Sequence, residues 1–148
     1  MPCSLVYASS SAIYGHLPKG KDYVKRYSIT SPYAQDKLTL ENYAKMIFDV
    51  FKVSSVGLRL FNVYGIRSRT NSTYGAVMGV FFAQKISKKP LTIVGSGRQK
   101  RDFVFIDDVV EAFILASKKN VNGEIFNIGS GTPRSINAVY THLRAHET

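Results

Sequence analysis

Apolar residues fall in short blocks separated by glycine, proline and charge, and the blocks alternate in period. Residues 4–10 (SLVYASS) are an apolar run ending in small polar residues. That is the pattern of a buried strand. Residues 15–30 hold Gly, Pro, Lys and Asp and read as a loop. Ser31-Pro32 fits a helix start, with serine as N-cap and proline at the first helical position. From 33 to 51, Leu38, Leu40, Tyr43, Ala44, Ile47, Phe48 and Phe51 form a helical stripe. Residues 54–65 (SSVGLRLFNVYG) read as the next strand, stopped by Gly65. A helix over 76–88, a short strand over 90–95 and a strand over 101–106 follow. Asp107 or Asp108 then caps a helix over 109–117. Residues 123–131 (GEIFNIGSG) are a strand running into a glycine turn, and Ser135 caps a last helix. Strand, long helix, strand, with near-continuous apolar strands, predicts a parallel α/β sheet.

The length of 148 residues suits one domain with a real core. Hydrophobic content of 45% and charged content of 20% are ordinary for a soluble globular protein. No apolar run approaches the ~18 residues of a membrane span. The first residues, MPCSLVYASSS, have no basic region ahead of an apolar one, so no secretory signal is expected. Cys3 is the only cysteine. It rules out an internal disulfide or a cysteine-rich zinc site and suits a reducing, cytoplasmic setting. His142 and His146 share a helical spacing near the chain end, and no metal site is predicted. The net charge of +10 favours anions: nucleic acid, acidic surfaces or phosphorylated small molecules. Lys and Arg are spread along the chain rather than blocked, which argues against nucleic acid.

Four segments hold candidate chemistry. Tyr33 and Lys37, four apart on the long helix, share one face. A phenol is a poor base at pH 7, and an adjacent ammonium favours its anion. The pair reads as a general base with an electrostatic helper, or as a packed tyrosine beside a snorkelling lysine. The stretch YASSSAIYG puts three serines at the C-terminal end of a strand. Ligands bind at that end of open α/β sheets, although a Ser-rich turn is also common there. Asn62 lies at the next strand end, either as a phosphate donor or as the start of a turn. Arg101 follows the Gly-rich, basic GSGRQK turn, either as a phosphate clamp or as a solvated surface residue.

Taken in order, YASSSAIYG, SPYAQDK, LRLFNVYG, GSGRQKRDFVFIDDVVEAF and FNIGSG resemble the extended short-chain dehydrogenase/reductase family. Within it, the chain resembles the NAD-dependent nucleotide-sugar epimerase/dehydratase group from about residue 5 to 143. The resemblance implies an α/β chain made of the second half of a Rossmann-type parallel sheet plus part of a small α/β substrate-binding region. Residues 1–65 would be the C-terminal half of the NAD-binding domain, with the Ser/Tyr/Lys site. Residues 66–148 would be a partial nucleotide-sugar-binding region, with 101–118 returning towards the NAD-binding domain.

The resemblance also implies residue roles. Ser10 assists catalysis and contacts the sugar, Tyr33 is the base, and Lys37 holds the nicotinamide ribose of NAD beside it. Asn62 and Arg101 contact the substrate diphosphate. Ala76, Val77, Met78, Thr92 and Val94 line the nucleotide, and Asp108 caps a helix. Tyr33 would take a proton from a sugar hydroxyl, most plausibly at C4. The hydride would leave that carbon for NAD and return to the other face of a 4-keto sugar. The positions where related dehydratases and decarboxylases carry acids hold Ser11 and Ala12, which favours a UDP-sugar 4-epimerase. The alternatives are a reductase, dehydratase or decarboxylase of the same group, or a non-catalytic anion-binding remnant.

Two departures are minor: Asp36 replaces the usual Ser or Thr before the lysine, and Gly79 replaces a frequent Pro. A larger one is the Gly-x-x-Gly-x-x-Gly loop that holds the cofactor pyrophosphate, which does not occur in this sequence. The N-terminal dinucleotide-binding half is therefore expected to be missing. The chain by itself is expected to be inactive, and the complete enzyme to be a homodimer through helices including residues 33–51.

Overall fold

The computed structural model describes residues 5–17, 26–68, 77–119, 121 and 123–145. The chain divides into two compact units. The first comprises Met1–Phe61 and Asp108–Ile128, the second Asn62–Asp107 and Gly129–Thr148.

The first unit is built on a parallel three-stranded sheet in the order β1-β2-β6, with β1 at Leu5–Ser10, β2 at Ser55–Leu60 and β6 at Ile125–Ile128. The central strand β2 alternates strictly. Val56, Leu58 and Leu60 join a core with Ala112, Phe113 and Ala116 of helix α3 (Ile106–Lys118). Arg59, between two of them, turns to the other face and meets helix α1 (Pro32–Phe51). Ser31 caps α1, its hydroxyl accepting from the Ala34 amide at 3.2 Å, and Pro32 opens the helix. The helix stops at Lys52, which takes a left-handed conformation and returns its N–H to the Phe48 carbonyl. Gly57 of β2 is required by close approach. A Cβ there would lie 2.6 Å from the Tyr7 hydroxyl oxygen.

The stripe along α1 does not mark a core-facing side. Ala34 and Glu41 are its buried residues, while Leu40, Tyr43, Ile47, Val50 and Phe51 are exposed. The buried Glu41 of this helix meets Arg59 of the sheet.

The second unit joins β3 (Asn62–Tyr64) and β5 (Phe103–Phe105) as a parallel pair. Helix α2 spans Val77–Ile86. Strands β4 (Lys100–Arg101) and β7 (Arg134–Ser135) pair antiparallel, and helix α4 (Ile136–Ala145) follows. Ser135 caps α4 as expected, accepting from the Ala138 amide at 3.1 Å.

Several expectations are corrected. The single strand over 54–65 is two strands in different sheets. The Phe61 amide bonds the Ile128 carbonyl, the Asn62 amide bonds the Asp102 carbonyl, and the ladder changes partner between them. Residues 90–95 are not a strand. The Gln84 carboxamide accepts from the Thr92 amide at 3.0 Å and donates to the Thr92 hydroxyl oxygen at 2.7 Å, in place of a ladder. The strand over 101–106 is split by Asp102, and α3 begins at Ile106. Asp107 and Asp108 thus lie inside the first turn of α3, and Asp108 does not cap it.

Candidate functional site

In the first unit, Ser10 ends β1 and caps a single 3-10 turn, Ser11–Tyr14. Its hydroxyl oxygen accepts from the Ala12 amide at 3.1 Å. The serine O–H remains available to donate. Ser11 and Ala12 open that turn without a carboxylate. Tyr33 stands in the first turn of α1 and is 55% exposed, so its phenol is open to a ligand. Lys37 follows one turn later, with Nζ 5.7 Å from the centre of the Tyr33 ring. Its ammonium donates to the Ala8 carbonyl of β1 at 2.9 Å. An ammonium has three donors, so two remain. The helix thus brings Lys37 to the strand that ends at Ser10 and stands Tyr33 beside it.

Beneath these residues lies a charged network that the motifs did not single out. Glu41 and Arg59 are 3% and 2% exposed as side chains. Arg59 forks onto the carboxylate, Nε to Oε1 at 2.9 Å and Nη2 to Oε2 at 2.8 Å. It also donates to the hydroxyls of Tyr14 at 2.7 Å and Tyr27 at 3.2 Å. The Tyr14 hydroxyl donates a hydrogen bond to Asn127 Oδ1 at 2.8 Å. The Ser9 hydroxyl donates to Glu41 Oε1. Burial works against the Arg59 charge. The bond to Glu41 and its negative charge, with a smaller contribution from Tyr14, outweigh it and hold the guanidinium above its ordinary value. Tyr7 is pushed up to about 12, first by burial and then by the Glu41 charge, with Arg59 pulling the other way. It therefore stays a neutral phenol at pH 7. An arginine inside an otherwise apolar strand was the legible signal, because a buried cation needs a buried acid. Glu41 is the acid two helical turns beyond Tyr33 on the same face.

In the second unit, the Asn62 carboxamide donates to the Asp102 carbonyl at 3.1 Å. Arg101 is exposed and donates to the Lys100 carbonyl at 3.0 Å. Directly across the β4–β7 ladder from Arg101 stands Arg134, also exposed, which the motifs did not mark. Like charges opposed in a ladder repel. No carboxylate bridges the two among the described residues, so the pair is suited to an anion. Val77 and Met78 open α2, Thr92 is clasped by Gln84, and Val94 is 85% exposed. Ala76 lies outside the described residues.

Neither Gly95-Ser96-Gly97 nor Gly129-Ser130-Gly131 is built as a pyrophosphate cradle. The Asp102 carboxylate accepts from the Ser130 amide and hydroxyl at 2.8 and 2.6 Å and from the Gly131 amide at 3.0 Å. At Gly97, with φ +67°, a Cβ would meet Asn137 Oδ1 at 1.9 Å, so the space is taken. The residues present fit the nicotinamide ribose end of NAD, through the two spare Lys37 donors and the open Tyr33 phenol. Among the described residues nothing supplies a seat for its pyrophosphate. Asp102→Ala is expected to cost about 3 kcal/mol, the worth of charge-assisted bonds left unmade. A urea titration reads that loss, and Asp102→Asn should restore part of it.

A family model described as the NAD dependent epimerase/dehydratase family matches residues 2–129. A putative UDP-glucose 4-epimerase of Methanocaldococcus jannaschii is 33% identical over 147 residues, 97% of this chain and 46% of the relative. The dTDP-D-glucose 4,6-dehydratase of Homo sapiens is 33% identical over 132 residues, 88% of this chain and 37% of the relative. The solved UDP-N-acetylglucosamine 4-epimerase of Methanobrevibacter ruminantium M1, in complex with UDP-N-acetylmuramic acid, superposes with a TM-score of 0.87. It is 30% identical and covers 95% of this chain and 45% of its own. The chain spans less than half the length of these relatives. A family model that takes in Ser10, the α1 pair, Asn62 and Arg101 together leaves one assignment: the chain belongs to the NAD-dependent epimerase/dehydratase family.

Proposed function

We propose that the chain is the acid/base and substrate-phosphate part of a nucleotide-sugar 4-epimerase acting on a UDP-sugar. One observation carries the reading: α1 stands Tyr33 beside Lys37, and Lys37 is bonded to the Ala8 carbonyl on the strand that ends at Ser10. In this reading Tyr33 holds and moves the proton of the sugar C4 hydroxyl. The Ser10 O–H donates to the same oxygen and orients it. Lys37 stabilises the phenolate by charge and offers its remaining donors to the nicotinamide ribose. NAD, when bound, supplies a reversible hydride acceptor. Asn62, Arg101 and Arg134 hold the diphosphate, with Val77, Met78, Thr92 and Val94 along the nucleotide.

Ser11 and Ala12 support epimerisation over elimination, since neither can shuttle the protons that loss of water needs. The exposed stripe of Leu40, Tyr43, Ile47, Val50 and Phe51 on α1 supports a second copy docking there, giving a homodimer. Among the described residues no helix is long and apolar enough to cross a membrane. The single cysteine suits a cytoplasmic setting.

The test is a panel of UDP-, GDP- and dTDP-sugars with NAD and the full-length protein, followed by NMR of the sugar C4 configuration. The expected result is equilibration of a UDP-sugar with its C4 epimer. Accumulation of a dehydrated keto-sugar, or no turnover across the panel, overturns the reading.

A further inference from the structure

We propose that Glu41, charge-paired with Arg59, is a positioning residue: it fixes where α1 presents Tyr33 and Lys37 against the strand end that carries Ser10. The proposal rests on the roles given to those three residues above. Tyr33, Lys37 and Glu41 step by four along one face of α1. Two of them reach β1 at successive residues just before Ser10. Lys37 takes the Ala8 carbonyl at 2.9 Å, and Glu41 takes the Ser9 hydroxyl.

Arg59, the register partner of Ser9 in β2, closes the frame. Its fork fixes the Glu41 carboxylate in direction as well as distance. Its third arm reaches Tyr14, the last residue of the turn that Ser10 caps, and Tyr14 reaches Asn127 of β6. The helix with the pair, the strand with the serine and the turn after it are therefore all tied to one guanidinium.

Stability alone does not account for such a pair, because apolar residues of similar volume hold a core as well or better. Apolar contacts are also non-directional and let a helix slide or rotate. A shift of about 1 Å at a catalytic group can cost about a hundredfold in rate. A fork between charges is the contact that resists such a shift.

Two variants test this on the chain itself. Ser9→Ala removes the hydroxyl tie. Glu41→Leu combined with Arg59→Met replaces the pair by apolar volume. Acetylation of Lys37 by an activated acetate ester, read by mass spectrometry against Lys45 and Lys118, reports the Lys37–Ala8 bond. The expected result in both variants is labelling of Lys37 about fivefold faster, the factor matching loss of one ordinary hydrogen bond. Circular dichroism and a cooperative urea transition should be retained. Wild-type protection of Lys37 in the folded paired variant overturns the proposal. Should the paired variant not fold, Ser9→Ala decides by the same criterion.

In the active full-length enzyme, the paired variant should lose about ten- to a hundredfold in kcat with KM unchanged. A lowered Tm with unchanged kcat would mean a purely structural role and overturn the proposal. If wild-type turns over no nucleotide sugar, the functional reading fails, and Lys37 labelling still decides the role of Glu41.

Discussion

Replacing Tyr33 by phenylalanine is expected to lower 4-epimerase turnover by about 10²- to 10⁴-fold, the range for loss of a positioned general base. Nucleotide-sugar affinity should stay within about twofold, because the phosphate contacts proposed here lie on other residues. The substitution removes one oxygen from a side chain that is 55% exposed, so no buried group loses a partner and stability should not move. NMR of the C4 configuration reads the rate, and calorimetry with the nucleotide sugar reads the affinity. Full turnover by the phenylalanine variant would remove Tyr33 from the role of base. Lys37→Met is the instructive contrast. It also removes the donor to the Ala8 carbonyl, so its loss of rate should come with a measurable loss of stability.

The second large effect lies under the site. Arg59→Met should destabilise the protein by about 3–5 kcal/mol, since it leaves Glu41 a buried carboxylate without its counter-charge. Ser9 still donates to that carboxylate, but one hydroxyl does not replace a two-point guanidinium. The midpoint of a urea transition at constant slope measures the loss. Adding Glu41→Leu to Arg59→Met should recover most of it, because the penalty comes from the orphaned charge rather than the lost contact. A double variant as unstable as the single one would mean that the pair itself holds the fold. These two outcomes separate the energetic role of the pair from the positional role proposed for it.

Local elements were legible where local chemistry decides them. Ser31-Pro32 announces α1, and the helix begins there because a serine cap and a proline at the first position need no distant partner. Ser135 does the same for α4. The strands of the parallel sheet were legible from their apolar runs.

Features that depend on distant partners were not legible. Residues 54–65 look like one strand because Leu60, Phe61 and Val63 are all apolar, yet the ladder changes sheets at Phe61. Residues 90–95 have strand composition, but Gln84 from α2 satisfies Thr92 before any strand can. Asp108 has a capping residue's chemistry and lies inside α3, because β5 runs straight into that helix at Ile106. The apolar stripe of α1 predicts burial, but Leu40, Tyr43, Ile47 and Phe51 are exposed, while Glu41, bonded to Arg59 and Ser9, is buried.

By itself, then, the sequence determined the α/β class, the family and the order of the candidate residues, because caps, periods and motifs are written in neighbouring residues. It also placed Tyr33 and Lys37 on one helical face, because a spacing of four is a property of the helix. Only the tertiary structure decided that Lys37 is bonded to β1, that Asp102 fills the Ser130–Gly131 turn, and that Arg134 faces Arg101. It alone joined Glu41 to Arg59 beneath the site. The physical reason is the same in each case. A buried charge or an unpaired donor must find a partner, and the partner is chosen by distance in space, which spacing along the chain does not record.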